Sequence, residues 1–203
     1  MKPKILSTGR VNQKVRTRMK ILNSANELMA QATSLTLEDV AQKAGISRAT
    51  IYRYYANIDL LVTEASLDIR HKSADELFEE MQDMLMEDRI LHLQEHYNDL
   101  AQKHEMVFRR YLSAVLAESI TSKEKLRGAR RVRSLKTALD PFKSEFSEET
   151  YQNLISAASV LMGIDCFVVC KDVCDLSDQD AKRTLQWALR MMLRGIAQEK
   201  TSR

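Results

Sequence analysis

Two arginines and three tyrosines fall within the eight residues Arg48–Tyr55. Arginine, threonine and tyrosine side chains can reach phosphates and base edges when their helix lies in a DNA major groove. The surrounding residues supply such a helix. Thr36 is a good N-cap, and Leu37, Val40, Ala41 and Ala44 follow it at helical spacing. Gly45 interrupts them where a left-handed turn residue is needed. Ser47 then caps a second helix, which Ile51 and Tyr55, four apart, seat on a core. Thr36, Ser47, Arg48, Ala49, Thr50, Tyr52, Arg53 and Tyr54 are therefore the candidate DNA-contacting residues. A helical hairpin inside an ordinary bundle is the alternative, and it would not need so many polar aromatic and cationic groups.

Other constellations invite different chemistry. His92 and His96 share one helical face in a His-Leu-Gln-Glu-His run, the inverted zinc-protease pattern. A working metalloprotease needs a third ligand and a cleft, and no partner motif follows, so no catalytic residue, metal or cofactor is expected. Cys166, Cys170 and Cys174 recur every four residues on one stripe. They read as small core or interface residues, with a thiol-based sensor as the sharper alternative. Arg127, Arg130, Arg131, Arg133 and Lys136 form a second basic patch. It either pairs with acids such as Glu145, Glu148 and Glu149 or recognises an anionic effector or more DNA. Asp165 interrupts an apolar run and requires a partner that the sequence does not name.

Charge supports the first constellation. Residues 1–55 carry ten Lys and Arg against three acids, a net of +7, while the other 148 residues net −4. A basic head on a slightly acidic body suits an end that meets a polyanion, since counterion release drives such binding. No acid precedes Glu27, and the first dozen residues lack periodicity. They suggest a basic arm that could lie along phosphates or enter the minor groove, or a tail without a role. Nothing resembling a secretory signal opens the sequence, and an odd count of three cysteines fits a reducing cytoplasm. The longest apolar run, Leu154–Cys170, is short for a membrane span and broken by Asp165, so it reads as a buried helix.

These residues need a scaffold, and the composition makes it all-α: 203 residues contain only five Gly and two Pro. The expected elements are a first helix over about 12–31, the helix–turn–helix, and one rigid helix from Ile58 to about Met81. Further helices are expected over 88–102, 105–121, 124–145, 147–171 and 178–198, with Pro141 kinking or restarting the third of these. Asn57, Ser147 and Ser177 look like N-caps. The two last helices have more apolar surface than a small bundle needs, which points to pairing with a second copy. Residues 1–56 are expected to form the DNA-binding domain, and residues 57–203 a helical domain for ligand binding and dimerisation.

The segment Arg16–Ala65 resembles the DNA-binding domain of the TetR (tetracycline-repressor) family of bacterial transcriptional regulators. The matching residues are Ile21, Ala25 and Leu28; Thr36, Val40, Ala41, Ala44 and Gly45; then Ser47, Thr50, Tyr52, Tyr54, Tyr55 and Leu61. Beyond it the likeness lies in length, helical content, Gly163, Leu176-Ser177 and Trp187-Ala188. The resemblance implies a cytoplasmic homodimeric repressor of double-stranded DNA, released by a small-molecule effector. It gives Tyr52 and Tyr54 to phosphates, and Arg48, Thr50 and Arg53 to bases. Ile58 stands where relatives often carry a phosphate-binding lysine. Tyr97, Phe108, Tyr111, Leu112 and Val115 are the candidate effector-pocket residues. A DNA-binding protein without a small-molecule effector, regulated by a protein or organising the chromosome, is the alternative. The effector, operator and direction of regulation cannot be read from the chain.

Overall fold

The structure, a computed structural model, describes residues 5–29, 35–68, 74–121 and 127–201. Among them are eleven α-helices, one 3-10 segment and no strand. The all-α expectation is therefore met. The chain forms two compact units: Met1–His71 with Arg110–Gly128, and Lys72–Arg109 with Ala129–Arg203. The first unit thus reaches past residue 56 and takes in later chain.

In the first unit, α1 spans Ile5–Met29, α2 Leu37–Lys43, α3 Arg48–Tyr54 and α4 Ile58–Asp68. Helix α1 begins earlier than residue 12. Pro3 lies ahead of it, and the single Gly9 costs only about 1 kcal/mol, too little to stop a growing helix. Of the expected basic arm, residues 1–4 lie outside the described residues. Ile21, Leu22 and Ala25 of α1 are buried, as are Val40, Ala44, Ile51 and Leu61 of the helices that follow. Asn57 caps α4, its Oδ1 accepting the Leu60 N–H at 2.9 Å.

Of the helix expected from Ile58 to Met81, the described residues contain α4, Ile58–Asp68, and α5, Ala74–Glu80. Residues 69–73 between them are not described. In the second unit, α6 spans Met86–Lys103, α8 Arg130–Leu139 and a 3-10 segment Asp140–Glu145, with Pro141 in its first turn as expected. Helix α7, Glu105–Ser119, gives its first turn to the second unit and the remainder to the first. The second core gathers Leu77, Ile90, Leu93, Leu135, Leu139, Leu154 and Leu189. Arg89 is buried within it. Its guanidinium lies 5.4 Å from the Phe78 ring and 5.0 Å from that of Phe142. It donates to the carbonyls of Gln82, Met84 and Ala138, so a charge stitches three segments together.

The helix expected over 147–171 breaks into α9, Glu148–Val160, and α10, Ile164–Asp172, bent by 54°. Gly163 makes the break with φ +80°, ψ −161°, a conformation that essentially only glycine adopts. Arg131 occupies the freed carbonyls of Ser159 and Met162 and pairs with Asp165 at 2.8 Å. That is the partner Asp165 required. Ser147 caps α9, and Ser177 caps α11, Asp178–Thr201. Cys166 donates to the Gly163 carbonyl at 3.0 Å, and burial pushes its thiol up to about 12. Burial raises the Cys170 thiol as well, which disfavours at both positions the thiolate that a redox sensor uses. No single helix among the described residues is long and apolar enough to cross a membrane.

Candidate nucleic-acid interface

Four residues, Thr36, Asp39, Gly45 and Ser47, set the ends of α2 and the start of α3. Thr36 and Asp39 close a capping box: Thr36 Oγ1 accepts the Asp39 N–H at 3.2 Å, and Asp39 Oδ2 accepts the Thr36 N–H at 3.0 Å. The Thr36 hydroxyl, which donates to Asp39 Oδ2 at 2.6 Å, and then the Thr36 N–H hold the Asp39 carboxyl below its ordinary value. At the other end Gly45 adopts φ +59°. Its N–H bonds to Gln42 O and the Ile46 N–H to Ala41 O, both at 3.0 Å, which is a Schellman motif. An added Cβ on Gly45 would meet only Lys20 Nζ at 3.6 Å, so backbone conformation rather than crowding selects glycine. Ser47 then caps α3, its Oγ accepting the Thr50 N–H at 3.1 Å.

Helix α3 has two faces. Ile51 is wholly buried and Tyr55 nearly so. Ser47, Arg48, Ala49, Tyr52 and Arg53 are exposed, and Thr50 and Tyr54 are half-buried. The candidate residues therefore lie together on one short helix and its cap, while Thr36 sits at the start of α2.

Sequence reasoning missed Glu38. Its Oε1 pairs with Arg48 Nε at 2.9 Å and accepts the Tyr52 hydroxyl at 3.0 Å. The Arg48 guanidinium also lies 5.6 Å from the Tyr52 ring. One carboxylate thus gathers two groups suited to nucleic acid, and an acid on α2 gave no hint of reaching across fourteen residues. Tyr54 donates back to the Lys14 carbonyl of α1 at 3.4 Å rather than standing free. Ile58 is half-buried at the start of α4 and offers no cation there.

Behind α3 lies a polar knot that the sequence also concealed. Glu64 of α4 is 2% exposed and accepts two hydrogen bonds from Arg18 of α1. Its Oε2 also accepts the hydroxyls of Tyr55 at 3.1 Å and Tyr111 at 3.2 Å. Burial opposes the Arg18 charge, yet the Glu64 carboxylate beside it holds the guanidinium above its ordinary value. Burial, and then the Glu64 charge, raise the Tyr55 phenol. Removing one partner of such a buried pair typically costs about 3–5 kcal/mol, so the knot fixes the helix bearing the candidate residues.

The remaining candidates are dispersed. Tyr97 belongs to the core of the second unit, where its hydroxyl meets Ser134 Oγ at 2.9 Å and burial raises its phenol. Phe108 lies in that unit too, whereas Tyr111, Leu112 and Val115 fall in the first. His92 Nε2 lies 3.5 Å from Glu80. No group of three His, Cys, Asp or Glu side chains placed to hold a metal occurs among the described residues.

Residues 21–65, from the middle of α1 into α4, match the family model of bacterial regulatory proteins, tetR family. No curated protein and no solved structure matches the chain. The matched segment contains the capping box, the Gly45 turn, all of α3 and Glu64. Over that segment the chain carries a helix–turn–helix DNA-binding domain of the TetR type, that of a transcriptional regulator.

Proposed function

We propose that the protein is a repressor that binds a palindromic operator as a homodimer and is released by a small-molecule effector. The observation that carries this reading is α3 itself, with Arg48, Tyr52 and Arg53 exposed while Ile51 and Tyr55 anchor it. Arg48, Thr50 and Arg53 take the base edges, and Tyr52 the phosphates. Pairing is supported by the apolar groups left on the last helices, Val160, Val169, Val173 and Trp187. Two copies of α3 then enter successive major grooves, with half-sites about 34–36 Å apart. Residues 1–56 act as the DNA-binding domain, and residues 57–203 bind the effector and dimerise. Release requires an effector that favours one head spacing over another by about 1–3 kcal/mol.

Selection of bound duplexes from a random pool tests the reading. An inverted repeat with one-turn spacing is expected. Enrichment of no sequence, or of a single unrepeated half-site, defeats it. On the selected operator Arg53→Ala loses about 1–3 kcal/mol and relaxes preference at one base pair, whereas Tyr52→Phe weakens all sequences alike. Equal losses for Arg53→Ala on operator and random DNA remove it from the reading surface.

A further inference from the structure

A cleft of about 240 Å³ opens on the second unit between α6 and α11. Its lining includes Gln94, Glu95 and Asn98 of α6 with Lys182 and Gln186 of α11. Gln94 is 2% exposed and Asn98 3%, so both carboxamides belong to the interior. Half of each is committed. Gln94 Nε2 donates to the Leu161 carbonyl at 3.1 Å and the Leu185 carbonyl at 2.9 Å. Asn98 Oδ1 accepts the Gly163 N–H at 2.7 Å. Two carbonyls can only face an NH2 group, and an N–H can only face an oxygen, so both amides have one possible orientation. The other halves, Gln94 Oε1 and Asn98 Nδ2, have no hydrogen-bond partner among the described residues, and they belong to the cleft lining. Neither atom is fully shut from solvent, so both face the open cleft, where water or a ligand can meet them.

We propose that this cleft binds a small molecule carrying an amide edge, an N–H and a C=O side by side. Gln94 Oε1 accepts the ligand N–H, and Asn98 Nδ2 donates to its carbonyl. The two residues are four apart on α6 and therefore stand on one face, which places acceptor and donor together. Charge at the rim narrows the class. Lys182 is paired with Asp99 and Arg183 with Asp180, while Glu95 is exposed and has no ion pair among the described residues. A cationic substituent next to the amide meets Glu95, so an amino-amide fits better than a neutral one. The site shares no residue with α3 and stands apart from DNA binding.

Titration of the full chain with propionamide, glycinamide and N,N-dimethylpropionamide tests this, read by the side-chain amide resonances of Gln94 and Asn98, and of Gln94 alone in the Asn98→Asp variant. Propionamide and glycinamide shift them saturably in the millimolar range, glycinamide more tightly, and N,N-dimethylpropionamide, lacking the donor, does not. Glu95→Gln abolishes the preference for glycinamide and leaves propionamide binding intact. Asn98→Asp keeps an oxygen for the Gly163 N–H but turns the free donor into an acceptor, and weakens propionamide about tenfold or more. Gln186→Trp, at an exposed helical position, fills the cleft and removes binding without lowering the melting temperature. The proposal is overturned if the dimethyl amide binds as well as propionamide, if none of the probes binds, or if Gln186→Trp leaves the shifts unchanged.

Discussion

Glu38 places a negative charge among the groups that DNA attracts. Its carboxylate holds Arg48 and Tyr52, and either group must leave it to reach a phosphate or a base. Exposed pairs of this kind are worth about 0.2–1 kcal/mol. Glu38→Gln removes that competition and a charge repelled by the phosphates. Affinity for DNA should therefore rise about two- to fivefold at low ionic strength and converge on the parent value at high salt. A titration showing weaker binding would mean that Glu38 presents Arg48 and Tyr52 in their bound geometry instead. Glu64 has the opposite character: a buried carboxylate fully engaged by Arg18, Tyr55 and Tyr111, with no share in the exposed face. The helix–turn–helix segment was legible because its signals are local, a cap, a glycine and a four-residue repeat. Glu38 and Glu64 were not, since their partners lie up to 47 residues away and only folding brings them together.

At the level of whole helices, Gly163 decides how the longest apolar run is used. Its φ of +80° ends α9, while an alanine there would meet Arg131 Nη1 at an unremarkable 3.5 Å. The penalty of Gly163→Ala is thus backbone strain, about 1–3 kcal/mol, and urea unfolding should show it as a lower midpoint with an unchanged slope. An unchanged midpoint would mean that the break relaxes at no cost. One glycine inside a continuous apolar run does not announce a bend, which is why the sequence suggested one helix there. Ionic contacts then tie α10 to its neighbours. Lys171 reaches Glu105 and Asp178 at 2.7 Å each, and Arg109 holds Glu105 at 2.7 Å and Asp172 at 2.6 Å. Hydrogen bonds from Lys171 and Arg109 hold all three carboxyls below their ordinary values. A carboxylate depressed on folding contributes stability above its unfolded value, roughly pH 4, and loses it as pH falls through the folded one. Chemical stability should accordingly drop between about pH 5 and pH 3, and Asp172→Asn should flatten that slope. Equal slopes for parent and variant would show that these contacts contribute nothing in solution.

For the molecule as a whole, the uneven charge and the apolar last helices make separate demands. Residues 1–55 carry the basic excess that a polyanion needs. Under the proposed pairing, joining two heads multiplies affinity by about 10²–10⁴ without any new contact. The surface available for joining them is marked by Val160, Val169, Val173 and Trp187, exposed by 69%, 52%, 77% and 63%. Large apolar groups at such exposure, on neighbouring elements of one unit, are what a second copy would cover. Trp187 is the only tryptophan in the chain, so its fluorescence reports on that surface alone. In a dimer its emission should be blue-shifted at micromolar concentration and move to the red on dilution, with a midpoint matching the sedimentation equilibrium constant. Trp187→Glu should leave a folded monomer, because an exposed position tolerates charge until a partner must cover it. Operator affinity of that variant should fall by two orders of magnitude or more, while affinity for a single half-site stays as it was. Red-shifted emission at every concentration, together with unaltered operator binding by Trp187→Glu, would place the pairing surface elsewhere.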